Sequence, residues 1–372
     1  MIILYTGILL ILYSLFSGEL TRNYKPTIGF MFIFLIMAFQ SNVQGDYMSY
    51  MEDFGMGYSR TMNTEPLWVL LQKPFYSFGW KYFIFFMVLF QIWVVCRISK
   101  LYASNHYQYL GAILFFFTFG MMLIQMKALR QGLAIEICLL PFIMKFENKN
   151  RLLNCILHCY GPVVIAYLIH NSAIVGLLPA TALFMMYQKS WFQKTKNSYK
   201  GEWFVPTVIT IIFCVLYLFK HSVFSELFTK LSTIVTMNDI RLGGYLLSDQ
   251  ENGLFDISWP IVLYDAIMVF LSTWYYRYIN GKGRILTLMA IISFFADMLF
   301  FGMGSLPRIG YFFVIANVIV IPCLASLISK RFGKLYTLLF IFLCLGYSIK
   351  TSLPFLLEMD NGGFGAYKFI FM

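Results

Sequence analysis

Charge is what this chain has least of. Asp, Glu, Lys and Arg make up 12% of its 372 residues, against 60% hydrophobic and 19% aromatic residues. At a mean hydropathy of +0.72, that composition excludes a soluble globular domain of this size, whose surface needs far more polar cover. A cysteine framework is missing too. Cys96, Cys138, Cys155, Cys159, Cys214, Cys323 and Cys344 all lie in or beside apolar runs, and no spacing among them reads as a metal site or a disulfide scaffold. They read as small apolar packing residues. No low-complexity linker, soluble domain or short repeat interrupts the chain, so residues 1–372 read as one multi-pass domain. Met1-Ile2-Ile3-Leu4 carries no basic leader and no small-residue cleavage site follows, so the first apolar run is expected to be a retained helix.

What is present is a succession of runs long enough to cross a hydrocarbon core, which takes ~17 to 25 residues per helix. The expected fold is all-α, a polytopic helical membrane bundle of about twelve spans. The spans run over 2–17, 27–39, 82–96, 109–124, 129–144, 152–169, 172–187, 204–219, 259–276, 285–301, 309–328 and 335–353. Ten or thirteen crossings also fit. The stretch 66–78, broken by Lys73-Pro74, reads as interfacial.

Lys and Arg orient such a bundle, because cytoplasmic connections retain positive charge. One alternating set of loops holds Arg22, Lys25, Arg97, Lys100, Lys145, Lys149, Arg151, Lys189, Lys194, Lys196, Lys200, Arg277, Lys282, Arg284, Lys330, Arg331 and Lys334. That is seventeen of the twenty-eight basic residues, against Glu19, Glu147 and Glu202. The opposite set is balanced, so both termini and the two longer loops, about 40–81 and 220–258, are expected outside. The net charge of +11 is then a signature of topology and does not point to nucleic acid.

With that orientation Asp46, Glu65, Lys127, Arg130, Gln131, His170, Asn171, Arg241, Asp297 and Arg308 gather at the outer side. Arg130 is the sharpest signal, because a guanidinium carried into lipid is costly unless paired or hydrated and cannot shed its proton. Helices entering from outside present the positive ends of their dipoles there, which disfavours Lys127 and Arg130 near Leu129, His170 near Ser172 and Arg308 after Pro307. A multiply charged anion at those ends offsets the repulsion, and a membrane-associated diphosphate fits. Plainer readings stand beside these. Glu136 lies about 120° round the helix from Arg130, a poor partner for it, and serves with Asp265 as a bundle hydrogen-bond partner. Arg308 neutralises Asp297, Asn171 caps a helix, Asp46 makes a turn after Gly45, and Arg241 is a solvated loop residue.

Gly45-Asp46-Tyr47-Met48-Ser49-Tyr50, Glu65-Pro66-Leu67-Trp68, Arg130-Gln131-Gly132-Leu133-Ala134, His170-Asn171-Ser172-Ala173-Ile174 and Arg308-Ile309-Gly310-Tyr311-Phe312 occur in this order along nearly the whole chain. In these segments the sequence resembles the EpsG family, itself similar to Wzy-type polymerases of exopolysaccharide, capsule and O-antigen. The resemblance implies a glycosyltransferase that joins undecaprenyl-diphosphate-linked oligosaccharide repeat units at the outer face of the bacterial cytoplasmic membrane. Implied partners are that lipid-linked glycan, membrane lipids, and other export and chain-length proteins; no cofactor and no metal is implied. Arg130, Gln131, Lys127, Arg308 and Arg241 are the expected substrate-binding residues. Tyr47 and Tyr50 are expected to stack on sugar rings, and Asp46, followed by Glu65 and His170, to serve as catalytic base. The departure from the family pattern is the large outer loop, where the paired Arg and Gly signatures of some Wzy proteins are not clear. A membrane O-acyltransferase using His170, a lipid-oligosaccharide flippase and a sugar ligase are the alternatives.

Overall fold

A computed structural model describes residues 2–16, 25–40, 46–54, 65–104, 106–118, 121–146, 152–188, 204–219, 259–279, 281–300 and 307–357. Among them the regular structure is helical throughout. The helices are α1 (Ile2–Phe16), α2 (Lys25–Ala38), α3 (Asp46–Asp53), α4 (Pro66–Gln72), α5 (Trp80–Tyr102), α6 (Gln108–Phe117), α7 (Met122–Lys127) and α8 (Leu129–Ile143). They continue with α9 (Leu152–Tyr167), α10 (Leu177–Gln188), α11 (Phe204–Leu218), α12 (Trp259–Tyr275), α13 (Lys282–Phe300), α14 (Pro307–Val314), α15 (Asn317–Phe332) and α16 (Lys334–Leu357). Short 3-10 turns cover Lys73–Phe75 and Asn171–Gly176.

Two compact units emerge, residues 1–191 with 317–372, and residues 192–316. In the first, α8 is the central helix. Twelve of its fifteen residues are buried, with α5 on one flank and α9 on the other, while α6 packs against α2 and α15. In the second, α11, α12, α13 and α14 pack in sequence.

Each expected span falls on helix, but two are divided. The run 109–124 breaks after Phe117, where Thr118 turns extended. The Ser352 hydroxyl from α16 donates to the Phe117 carbonyl, and Thr118 Oγ1 lies 3.3 Å from Ser348 Oγ. A distant helix thus satisfies the carbonyl that the break frees, which is how irregular backbone is tolerated inside a membrane bundle. The run 309–328 divides at Ile315–Ala316, between α14 and α15. Two helices, Trp80–Tyr102 and Lys334–Pro354, are long and apolar enough on their own to cross a bilayer among the described residues. The 66–78 stretch is a short helix ending in a 3-10 turn at Lys73, as the Lys73-Pro74 break suggests. At Gly333, φ is +92°, a left-handed backbone that lets α15 end and α16 begin across one residue.

Candidate functional site

Glu65 stands at the N-cap of α4 and makes no capping hydrogen bond. Pro66 follows at N1, where its missing N–H is no loss and its fixed φ starts the helix. The Leu67 N–H donates to the Leu168 carbonyl at 3.0 Å, which pins the start of α4 to the end of α9. Its carboxylate is thereby turned away from its own helix and toward α8 and the α9–α10 connection.

Three segments far apart in sequence meet at that carboxylate. Arg130 Nη1 donates to Glu65 Oε2. His170 Nδ1 lies 2.6 Å from Glu65 Oε1, and the Asn171 N–H donates to the same oxygen at 3.3 Å. The Arg130 guanidinium also lies over the Tyr50 ring, 4.6 Å from its centroid, a cation–π contact. Tyr50 is held edge-on to Trp68, and Trp68 to Phe83, with centroids 5.6 and 5.2 Å apart. This aromatic floor, contributed by α3, α4 and α5, sets the height of the guanidinium.

Burial alone raises the Glu65 carboxyl. The His170 hydrogen bond, the Arg130 charge, the His170 charge and the Asn171 amide outweigh it and hold the group below the ordinary carboxylate range. Glu65 is therefore an anchor of negative charge and a poor base. When the imidazole is neutral, an ionised carboxylate accepting from Nδ1–H keeps the proton on Nδ1 and leaves the Nε2 lone pair open. The His170 side chain is 23% exposed, so that nitrogen sits in a partly accessible ring.

The geometry revises several expectations. Arg130 does not need an external anion to meet the cost of burial, because Glu65 supplies the counter-charge at the α8 N-terminus. Lys127 does not open α8. It closes α7, with Ala128 intervening, where the helix dipole favours a cation. Gln131 is buried at 1% exposure. Tyr47 is buried against Trp80, with its hydroxyl donating to the Gln40 carbonyl at 3.3 Å, a packing environment. Tyr50 presents a ring face to Arg130. His170, not Asn171, occupies the cap position before the 3-10 turn, and it makes no side-chain cap hydrogen bond. Asp46 opens α3 and Arg308 lies in the first turn of α14, but their side chains lie outside the described set, as does Arg241 altogether.

Two glutamines that sequence reasoning passed over form a polar layer with Glu136, six residues beyond Arg130 on α8. Gln125 Nε2 donates to Glu136 Oε1 at 2.8 Å, the bundle hydrogen bond expected of Glu136. Gln91 from α5 joins it, wholly buried. A Cβ at Gly132 would lie 2.7 Å from Gln91 Nε2 and 3.1 Å from the Gln125 side chain, so a larger residue there would displace the end of the Gln91 side chain. Lone glutamines inside the runs Phe90-Gln91-Ile92 and Ile124-Gln125-Met126 are the signal that could have found them. Among the described residues no group of three His, Cys, Asp or Glu is placed to hold a metal.

The EpsG family model matches residues 23–361, nearly the whole chain. No curated protein and no solved structure matches.

Proposed function

This chain belongs to the EpsG family of Wzy-like polysaccharide polymerases, and from that premise we propose that it joins undecaprenyl-diphosphate-linked oligosaccharide repeat units at the outer face of the cytoplasmic membrane. Family and apolar helices together make it an integral membrane protein; twelve crossings, with the basic loops inside, are our reading of its topology.

The observation that carries the reading is the Glu65 carboxylate held between Arg130 and His170. Polymerisation needs two things at once, a base for an acceptor hydroxyl and positive charge for a departing diphosphate. We assign the base to His170 rather than Asp46, because Glu65 orients its ring and fixes its tautomer. Nε2 takes the hydroxyl proton as the acceptor oxygen bonds to the anomeric carbon of the growing chain. The bond from that carbon to the undecaprenyl diphosphate breaks, and the electron pair leaves with the diphosphate. Arg130 spends one Nη on Glu65, and its remaining N–H groups are the donors for the phosphate oxygens. Arg308 and Arg241 stay candidates for the same anion.

The test is purified protein with a synthetic undecaprenyl-diphosphate-linked repeat unit, scored for product size. A ladder is expected, and its loss in Arg130→Ala and His170→Ala. Single addition to a different acceptor makes the protein a ligase, and acyl transfer without sugar transfer makes it an O-acyltransferase; either outcome overturns the reading.

A further inference from the structure

The end of the first unit opposite Glu65 carries a second feature, independent of the reading above. α5 and α8 both begin at the Glu65 end, and at their far ends the Tyr102 hydroxyl donates to the Phe142 carbonyl at 2.6 Å. Just beyond Tyr102 the chain turns into α6, and its first residues meet the α15–α16 junction around a cavity of about 400 Å³. Lys330 and Lys334 line it together with Tyr107, Ser326 and Ser329, and no acidic side chain does so among the described residues.

A surface lysine at the basic end of a membrane protein needs no ligand to explain it. Two features set this pair apart. The reversal at Gly333 brings Lys330 and Lys334 to the lining of one cavity, among hydroxyl side chains and, among the described residues, with no carboxylate in that lining. Lys334 is also the first residue of α16, at the positive end of the helix dipole, where a cation is unfavourable unless an anion joins it. Below the polar rim the lining becomes apolar at Leu338 and Ile341. There it runs into the outward face of α16, where Leu335, Leu338, Leu339 and Phe342 are all exposed.

We propose that this cavity binds the phosphate group of an anionic ligand, and that its apolar floor favours an anionic phospholipid as the source. The headgroup phosphate sits between Lys330 and Lys334, and an acyl chain follows α16. Juxtamembrane basic clusters attract such lipids in general; the cavity makes the attraction local to two lysines.

Acetylation of the full-length protein in nanodiscs tests this. Lys330 and Lys334 are expected to react several-fold more slowly when phosphatidylglycerol is added to phosphatidylcholine. Lys100, exposed at the same end of α5, is expected to change little. Inorganic phosphate added to phosphatidylcholine nanodiscs is the second arm: protection there assigns the site to phosphate itself, and protection by phosphatidylglycerol alone assigns it to the lipid. If the three lysines respond in parallel, ordinary surface charge explains them and the proposal is overturned, as it is if none responds. Native mass spectrometry adds a variant readout. Lys330→Gln with Lys334→Gln is expected to lose retained phosphatidylglycerol, and unchanged retention contradicts the proposal.

Discussion

Among the described residues, two arginines each lay a guanidinium over a tyrosine ring at nearly the same distance, 4.6 Å for Arg130 on Tyr50 and 4.7 Å for Arg284 on Tyr276. Arg284 takes its ring from the preceding turn, and its Nε donates to the carbonyl of that same tyrosine, eight residues back, at 3.4 Å. It staples the turn between α12 and α13. Arg130 draws Tyr50 from α3 and Glu65 from the start of α4, and through Glu65 it reaches His170 beyond α9. Local partners finish a turn, whereas partners gathered from separate helices exist only once the bundle has formed. That difference, and not the cation–π contact both share, is the ground on which we propose a functional role for Arg130.

Breaking the distant partnership has the largest expected effect. Arg130→Ala and Glu65→Ala each strand the other's charge, a loss of about 3–5 kcal/mol for a buried pair, and polymer is expected to vanish. Arg284→Gln is expected to leave polymer yield near that of the parent in the same assay. Equal loss from Arg284→Gln erases the comparison. Next comes His170→Gln, which keeps a polar side chain without an imidazole base; turnover is expected to fall by about 10² or more, with membrane insertion and donor binding intact.

Tyr50→Leu removes the ring and with it ~0.5–2 kcal/mol of cation–π attraction, so turnover is expected to drop by up to roughly thirtyfold, while Tyr50→Phe keeps the face and stays near parent. A loss in Tyr50→Phe as deep as in Tyr50→Leu moves the tyrosine's role to its hydroxyl. The smallest effect concerns pH. The Glu65 carboxyl is held below its ordinary value of 4.5, so its contribution to stability is full above that value and disappears as pH falls through the depressed native one. Melting temperature against pH is expected to lose part of its acid slope in Glu65→Gln; an unchanged slope shows that other carboxylates govern it.

Glu65, Arg130 and His170 were each legible in the sequence as charge or imidazole at the ends of apolar runs. Their convergence was not, because 65 and 105 residues of chain separate Glu65 from its partners. Neighbours in sequence misled for the opposite reason. Gln131 follows Arg130 but lies ~100° round the helix and faces the packing, and one non-helical residue at Ala128 puts Lys127 on a different helix from Arg130. The break after Phe117 left only a weak mark, Thr118 with Gly120 two residues on, in an otherwise apolar run; the hydroxyl that stabilises it is on distant Ser352.

The central claim is that Glu65 joins Arg130 and His170 into one working unit, and a double-mutant cycle on turnover tests it most directly. Glu65→Gln, His170→Gln and the pair are to be compared in single-turnover assays with the lipid-linked repeat unit. Residues that act through one another give non-additive losses, so the double variant is expected to be no slower than the worse single one. Losses that multiply contradict the account, because Glu65 and His170 then work independently.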